Sequence, residues 1–258
     1  MDGVIQLQIW QLAAAYIFIA IILFIVKARG IPREKEIIIA TIRMTIQLAL
    51  VGYILVWLFE NPHPLWTILV IAVMLAFSIH NIVKRVKQKL SLELIKVIAL
   101  AMSAGALISL LWFLLVVIGL TPWYEPRYFI PIAGMLVGNS MTGVALGVTK
   151  LVDGMETQRE MVEAALMLGA TPRVAAKPIV DGAFDAAILP TVNSMVGIGI
   201  VFLPGMMTGQ ILSGISPVTA IQYQLAVMLG IAGSVALTVI ILVLLGYKTF
   251  FNQRQQLI

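Results

Sequence analysis

The sequence predicts an all-α protein that crosses a membrane about seven times. Of its 258 residues, 61% are hydrophobic and 11% are charged, whereas an ordinary soluble domain has roughly 45–50% apolar and about 25% charged residues. The mean hydropathy is +1.04. About 20 consecutive apolar residues make one crossing, and most of the chain falls into stretches of roughly that length. These observations exclude a soluble enzyme.

Seven apolar stretches define the predicted helices, and each is long enough, or nearly long enough, to span a bilayer. They cover residues 4–26, 37–59, 65–83, 97–120, 129–149, 186–203 and 218–247. The first has neither the basic start nor the small-residue cleavage site of a signal peptide, so it is interpreted as a retained helix. Residues 1–258 are therefore interpreted as one transmembrane domain.

The basic residues predict the orientation of the helices. Of the 17 Lys and Arg residues, all but Arg43 and Arg127 lie in the first, third and fifth connectors or in the C-terminal tail. Cytoplasmic loops carry an excess of Lys and Arg, so the N-terminus is expected outside and the C-terminus in the cytoplasm, with the chain in the cytoplasmic membrane. The formal charge of +5 then reports topology, and no nucleic-acid partner is expected.

The connector at residues 150–178 is the longest on the cytoplasmic side, and it is predicted to carry a docking surface. Helix-forming residues fill 163–168, Gly169 ends the run, and Thr171 and Pro172 open the next helix. Glu163, Ala164 and Ala165 followed by Gly169 resemble the EAA loop of ABC-transporter permeases, which sits in a cleft of the nucleotide-binding subunit. The Leu-Pro pair that often closes this motif is absent, because Asp-Gly stands at 181–182.

Most of the chain, and its second half above all, resembles the FetB/YbbM family of permeases. The similar runs are residues 130–141, 168–172, 188–192, 203–209 and 216–224. The resemblance implies a homodimer of this chain with two copies of a separate ATPase subunit. It also implies export of a metal ion such as iron, and the alternative substrate is a nucleotide sugar such as UDP-glucose. In such a transporter the residues that transmit the movement are expected to be Glu163, Ala164, Ala165, Gly169, Thr171, Pro172 and Arg173.

The chain has no nucleotide-binding motif of its own. No G-x-x-x-x-G-K-[ST] occurs, and no Gly-Lys pair occurs anywhere. We therefore expect a transport subunit without enzymatic activity and without a bound cofactor, with ATP and Mg²⁺ held by the partner. A secondary transporter driven by an ion gradient stays open as an alternative. An intramembrane enzyme is disfavoured, because HExxH and G-x-S-x-G motifs are also absent.

Polar residues inside the predicted helices mark a candidate translocation path. An Arg in hydrocarbon is costly, so Arg43 is either functional or anchored at the head groups, with Gln47 one turn further on the same face. The other candidates lie in the fifth and sixth helices, and they are Asn139, Ser140, Asp185, Asn193 and Ser194. Hydrogen bonds between helices would explain these polar side chains nearly as well.

Asp181 and Asp185 form an i, i+4 carboxylate pair that suits a hard cation such as Fe²⁺. For Asp181 we favour the alternative of a surface ion pair with Lys177. The outer connector, residues 204–217, has no charge and is expected to be a re-entrant segment or a short helix that closes the path. Its candidate gate residues are Pro204, Gly205, Met206, Met207 and Gly209. Space filling is the favoured role of the two methionines, and soft-ion binding is the alternative.

Overall fold

The computed structural model describes residues 7–86, 88 and 90–257, and this part of the chain is built from helices without strands. The helices are α1 (Ile9–Ala15), α2 (Ile17–Ala28), α3 (Glu34–Glu60), α4 (Pro64–Arg85), α5 (Leu92–Trp112), α6 (Pro126–Thr157), α7 (Arg159–Met167), α8 (Pro172–Ala175), α9 (Lys177–Gly197), α10 (Gly205–Leu212) and α11 (Pro217–Gly246). A π-helical segment, Phe113–Ile118, extends α5, and a 3₁₀ turn, Tyr247–Phe250, extends α11.

Six helical segments in the described residues are long and apolar enough to cross a membrane. They are Ile9–Ala28, Glu34–Glu60, Pro64–Arg85, Leu92–Ile118, Pro126–Thr157 and Pro217–Phe250. The expected sixth crossing corresponds to α9, whose 21 residues rise about 31 Å. Lys177, Asp181 and Asp185 make α9 less apolar than the other six. The all-α, multi-pass architecture is confirmed, whereas the count of seven crossings stays a prediction.

The predicted boundaries of the fifth and sixth helices are wrong. The fifth helix, α6, continues beyond the apolar stretch to Thr157, and α9 begins at Lys177 and ends at Gly197. The apolar residues 198–203 are not helical, because Gly199 has φ +83° and its N–H donates to the Phe202 carbonyl at 3.0 Å. A left-handed residue ends a helix however apolar its neighbours are.

The buried core lies where α4, α5, α6, α9 and α11 pack together. On α6, Gly143 permits close approach, because a Cβ there would lie 2.8 Å from Val235 of α11 and 3.3 Å from the Ala187 carbonyl of α9. In contrast, the apolar 18-residue stretches that define the first two spans contain no buried residue. These N-terminal helices therefore present their apolar surface to the surroundings, as membrane-facing helices do.

Contacts between connectors and the ends of neighbouring helices divide the connectors between two ends of the bundle. At one end the Gln88 Nε2 donates to the Asp153 Oδ1 at 2.6 Å, and the C-terminal residues 254–257 border a cleft beside α7. At the other end the Thr67 hydroxyl donates to the Tyr124 carbonyl at 3.0 Å. This grouping agrees with the two sides assigned from charge. Lys87 and Lys89, which belong to that charge pattern, lie outside the described residues.

Aromatic side chains collect at the end opposite α7. The Trp57 and Trp66 rings have centroids 5.2 Å apart, and the Arg127 guanidinium lies 5.9 Å from the centroid of Phe59. Trp and Tyr are enriched where helices leave the hydrocarbon. This end therefore has the composition of a membrane interface.

Candidate translocation cavity and coupling loop

A cavity of about 280 Å³ lies between α6, α9, α10 and α11. It includes two of the predicted path residues, Asn139 and Ser194, and three of the predicted gate residues, Pro204, Gly205 and Met206. The rest of its lining is Met135, Thr142, Gly143, Ala187, Pro190, Thr191, Ile198, Phe202, Gln224, Met228 and Ile231.

Helical spacing explains why these residues share one cavity. On α6, Met135, Asn139 and Thr142 follow each other at intervals of four and three residues, which places them on one face. The same spacing relates Ala187, Thr191 and Ser194 on α9, and Gln224, Met228 and Ile231 on α11. Three helix faces therefore form the walls, and α10 contributes Met206 from the outer connector.

Three of the five polar side chains of the cavity donate within their own helices. The Asn139 Nδ2 donates to the Met135 carbonyl at 2.7 Å, the Thr142 hydroxyl to the Gly138 carbonyl at 3.2 Å, and the Ser194 hydroxyl to the Pro190 carbonyl at 2.9 Å. Pro190 has no N–H, so it cannot donate a hydrogen bond to the carbonyl of Ala186, four residues earlier in α9. Among the described residues, no Asp, Glu, Lys, Arg or His belongs to the lining. The cavity is therefore uncharged and rich in oxygen acceptors.

Five predicted path residues do not line the cavity, and Asp185, one of them, is described below with Asp181. The Ser140 hydroxyl is buried and lies 2.9 Å from the hydroxyl of Ser234 on α11. The Arg43 guanidinium lies 4.9 Å from the ring centroid of Phe77 on α4. Gln47 and Asn193 are exposed on α3 and α9. The role assigned to each of them in transport stays a prediction.

The two acidic residues proposed as metal ligands lie apart from the cavity. Asp181 forms an ion pair with Lys177, and both side chains are exposed. Asp185 is exposed one turn further along α9. Within the described residues, no group of three or more His, Cys, Asp or Glu side chains is arranged to hold a metal ion. A metal site here would need ligands from another chain or from water. Of the remaining gate residues, Met207 is buried and Gly209 is exposed.

The loop between α6 and α9 consists of α7, a tight turn and α8. Gly169 has φ +90°, its N–H donates to the Leu166 carbonyl, and the N–H of Ala170 donates to the Ala165 carbonyl, both at 3.0 Å. This pair of bonds is a Schellman motif, in which a left-handed residue satisfies the last carbonyls of a helix. Pro172 then occupies the first position of α8, where its missing N–H costs nothing.

One side of this loop is buried and the other is exposed. Val162 of α7 is fully buried, as is Ala176 after α8, so the loop is fixed to the bundle. Glu163 is half-buried and accepts a bond from the Arg159 Nε at 2.8 Å. Met167 is 86% exposed and Leu168 is 90% exposed. The exposed residues of the predicted motif are Ala164, Gly169, Thr171 and Arg173.

Residues 9–251 match the model of the family described as "Uncharacterised protein family (UPF0014)". The chain belongs to the UPF0014 family. It is 38% identical to "UPF0014 membrane protein YjkA" of Bacillus subtilis, over 96% of this chain and 97% of the relative. It is 33% identical to "Probable iron export permease protein FetB" of Escherichia coli, over 96% of this chain and 94% of the relative.

The chain is also similar to a plant protein. "Protein ALUMINUM SENSITIVE 3" of Arabidopsis thaliana is 34% identical, over 95% of this chain and 88% of the relative. No solved structure matches the chain significantly. The resemblance to the FetB permeases is thus confirmed, and this UPF0014 protein is a multi-pass membrane permease.

Sequence reasoning missed part of the cavity in this UPF0014 protein. Met135, Gln224 and Met228 line it, and none of the three was a candidate. Gln224 carried a usable signal, because it is a polar residue in the long apolar helix α11. Gln222, two positions earlier, carries the same signal but is exposed beside a different groove. Only packing separates the two glutamines.

Proposed function

We propose that this protein is the permease subunit of an ABC transporter that exports a metal cation such as iron. A separate ATPase subunit, which also holds ATP and Mg²⁺, docks on the loop formed by α7 and α8. The name of the Escherichia coli relative, "Probable iron export permease protein FetB", supports both the substrate and the direction. The EAA-like residues of the loop support the ATPase partner.

The observation that carries this proposal is the continuity of the loop with two walls of the cavity. Only Gln158 separates α6 from α7, and only Ala176 separates α8 from α9. A rigid displacement of the α7–α8 loop would therefore move α6 and α9, and with them Asn139 and Ser194 on the cavity wall. Rigid-body shifts of packed helices are an established way of switching a site.

The exposed side of the loop supports a protein partner. Met167, Leu168 and Val174 are large apolar side chains that project from the end of the bundle where the basic connectors meet. Exposed apolar patches rimmed by polar residues mark interaction surfaces, and Glu163 and Arg173 supply polar groups beside this one. A nucleotide-binding subunit is the occupant that the EAA-like sequence favours.

The position of Asp185 supports the homodimer. This exposed carboxylate lies eight residues, or about 12 Å of helical rise, beyond Lys177 along α9. A carboxylate at such depth does not face lipid at acceptable cost. A second copy of the chain, or a water-filled path between two copies, would cover it.

The lining of the cavity favours a cation over the alternative substrates. The diphosphate of a nucleotide sugar is negatively charged, and no Lys or Arg among the described residues lines the cavity to bind it. Carriers driven by proton gradients place titratable residues on the path, and none lines the cavity in the part of the chain that the structure describes. Both features make the nucleotide-sugar transporter and the ion-coupled carrier weaker alternatives.

The test is ATP hydrolysis by the permease and its ATPase, co-expressed, purified together and placed in lipid nanodiscs. We expect co-purification and hydrolysis that the permease stimulates. Gly169→Pro should abolish the stimulation, because proline lacks the N–H and cannot adopt φ +90°. Gly30→Pro is the matched control, since Gly30 has φ +65° and forms the same motif after α2, with its N–H bonded to the Lys27 carbonyl.

A second variant distinguishes a loss of docking from a loss of the fold. Leu168→Glu places a charge on a side chain that is already 90% exposed, so it should leave the fold intact and weaken docking. Leu212→Glu, at the other end of the bundle, is its control. Hydrolysis that does not respond to Gly169→Pro or Leu168→Glu, or an ATPase that fails to co-purify, would refute the proposed coupling.

A further inference from the structure

Gln224 is a buried polar side chain without a hydrogen-bond partner for its carbonyl oxygen. The residue is 6% exposed, its Oε1 is buried, and no donor among the described residues reaches that atom. A buried acceptor without a partner lowers stability, and each such group in a native structure requires an explanation. Gln224 lines the cavity between α6, α9, α10 and α11, so a rotation of its amide toward the cavity would let a species there supply the missing partner.

The neighbours of Gln224 in the cavity indicate which species this is. Three methionines, Met135, Met206 and Met228, line the cavity from three different helices. The Thr142 and Ser194 hydroxyls and the Asn139 amide donate to their own helices, so their oxygen atoms remain available as acceptors. A ligand that needs donors finds few, and a cation finds neutral oxygen and sulfur atoms on several sides.

We propose that this cavity binds one soft or borderline transition-metal ion in a low oxidation state, with the Gln224 carbonyl oxygen and methionine thioethers as ligands. Thioethers prefer Cu⁺ and its analogue Ag⁺, and hard ions such as Mg²⁺ prefer sites made of oxygen. The ligand preference of the borderline ion Fe²⁺ lies between that of Cu⁺ and that of Mg²⁺. The inference rests on the proposed function for the cation as cargo, and it adds the binding site and its ligands.

The absence of charge in the cavity suits transport. A carboxylate cage would hold a divalent ion tightly, whereas neutral donors bind it weakly enough for release, which conduction through a membrane protein requires. The exposed Asp181 and Asp185 lie outside this cavity, so the site is distinct from the carboxylate pair of α9. Met206 belongs to α10, and a shift of that helix would change the set of ligands.

The test measures metal binding to the full chain in nanodiscs without the ATPase, by isothermal titration under anaerobic conditions. The probes are Ag⁺, Fe²⁺ and Mg²⁺. The chain has no cysteine, so thiolates do not contribute to Ag⁺ binding. We expect one saturable site per chain, with Ag⁺ bound more tightly than Fe²⁺ and Mg²⁺ not bound.

Two variants and their controls separate the site from nonspecific binding. Gln224→Leu should weaken Ag⁺ and Fe²⁺ binding at least tenfold, and Gln222→Leu should leave binding unchanged. Met228→Leu should weaken Ag⁺ binding more than Fe²⁺ binding, because it removes only the soft donor. Met102→Leu, at a buried methionine of α5 away from the cavity, is its control.

The ion-free melting temperature checks that each variant folds. Gln224→Leu should melt no lower than the unaltered protein, because it removes the unpartnered oxygen. Unchanged affinity in Gln224→Leu, equal losses in Gln222→Leu, or Mg²⁺ binding as tight as Ag⁺ would overturn the site. Metal binding that persists while the ATPase fails to couple would instead refute the proposed function and leave the site intact.

Discussion

Asn139 and Ser140 are adjacent on α6 and serve different surfaces. Asn139 lines the cavity with its amide nitrogen bonded to the Met135 carbonyl. Ser140 is rotated toward α11, where its hydroxyl meets that of Ser234 in the buried core. Successive residues of a helix point about 100° apart, so one of two polar neighbours can hold helices together while the other borders the path.

This difference predicts opposite effects of two substitutions. Ser140→Ala leaves the buried Ser234 hydroxyl without its side-chain partner, and hydrogen bonds between membrane helices contribute about 0.6 kcal/mol on average. We expect a lower melting temperature in detergent and unchanged metal transport. Asn139→Leu should keep the melting temperature and reduce transport.

The double variant Ser140→Ala/Ser234→Ala is the control for the serine pair. It should recover part of the stability lost in Ser140→Ala, because no hydroxyl is then left without its side-chain partner. Transport lost in Ser140→Ala at an unchanged melting temperature would place Ser140 on the path after all.

The composition of the sequence was sufficient to propose which polar residues matter, but it did not show where they point. Asn139, Ser194 and Met206 were candidates from their positions in apolar segments, and they share one cavity. Gln224 was missed because it looks the same as Gln222 in the sequence. The direction of a side chain on an apolar helix depends on the neighbouring helices, which a single sequence without clear amphipathic periodicity does not specify.

Helix α9 shows the same limit at the level of an element. The existence of a helix with Pro190 inside it was predictable, but its start and end were not. The predicted apolar stretch began only at residue 186, because a hydropathy pattern excludes charged residues. Three such residues, Lys177, Asp181 and Asp185, lie in the first turns of α9. The expected end at residue 203 was too late, because the turn at Gly199 is encoded by backbone conformation and not by hydropathy.

The α7–α8 loop was more predictable because its signals are local. Gly169 as a helix stop and Pro172 as a helix start follow from backbone constraints within a few residues. The structure has both. The outer segment, residues 204–217, contains the short helix α10, one of the two forms expected from its lack of charge. Features set by local turn residues were therefore predictable from the sequence, whereas features set by long-range packing were not.

At the scale of the whole molecule, the connectors lie at two ends of the bundle. The prediction of which end is cytoplasmic rests on the distribution of Lys and Arg residues alone. The chain lacks cysteine, so single cysteines can report the answer without any background. Leu168→Cys lies beside the α7–α8 turn and Leu212→Cys at the end of α10, and both positions are exposed.

In intact cells, we expect a membrane-impermeant maleimide to label Leu212→Cys and not Leu168→Cys. In inside-out vesicles the two should exchange, because Lys and Arg mark the cytoplasmic side. Protein without an introduced cysteine should stay unlabelled. Labelling of both positions from one side would contradict the arrangement of the two ends, and exchanged labelling would invert the orientation.

The central claim is that ATP hydrolysis by a partner drives a metal cation through this permease. The most direct measurement is uptake of Fe²⁺ into inside-out vesicles, with and without the ATPase subunit and ATP. We predict uptake that requires both proteins and ATP, falls to background in Gly169→Pro, and persists in Gly30→Pro. Uptake by the permease alone, driven by an ion gradient and indifferent to ATP, would contradict the account.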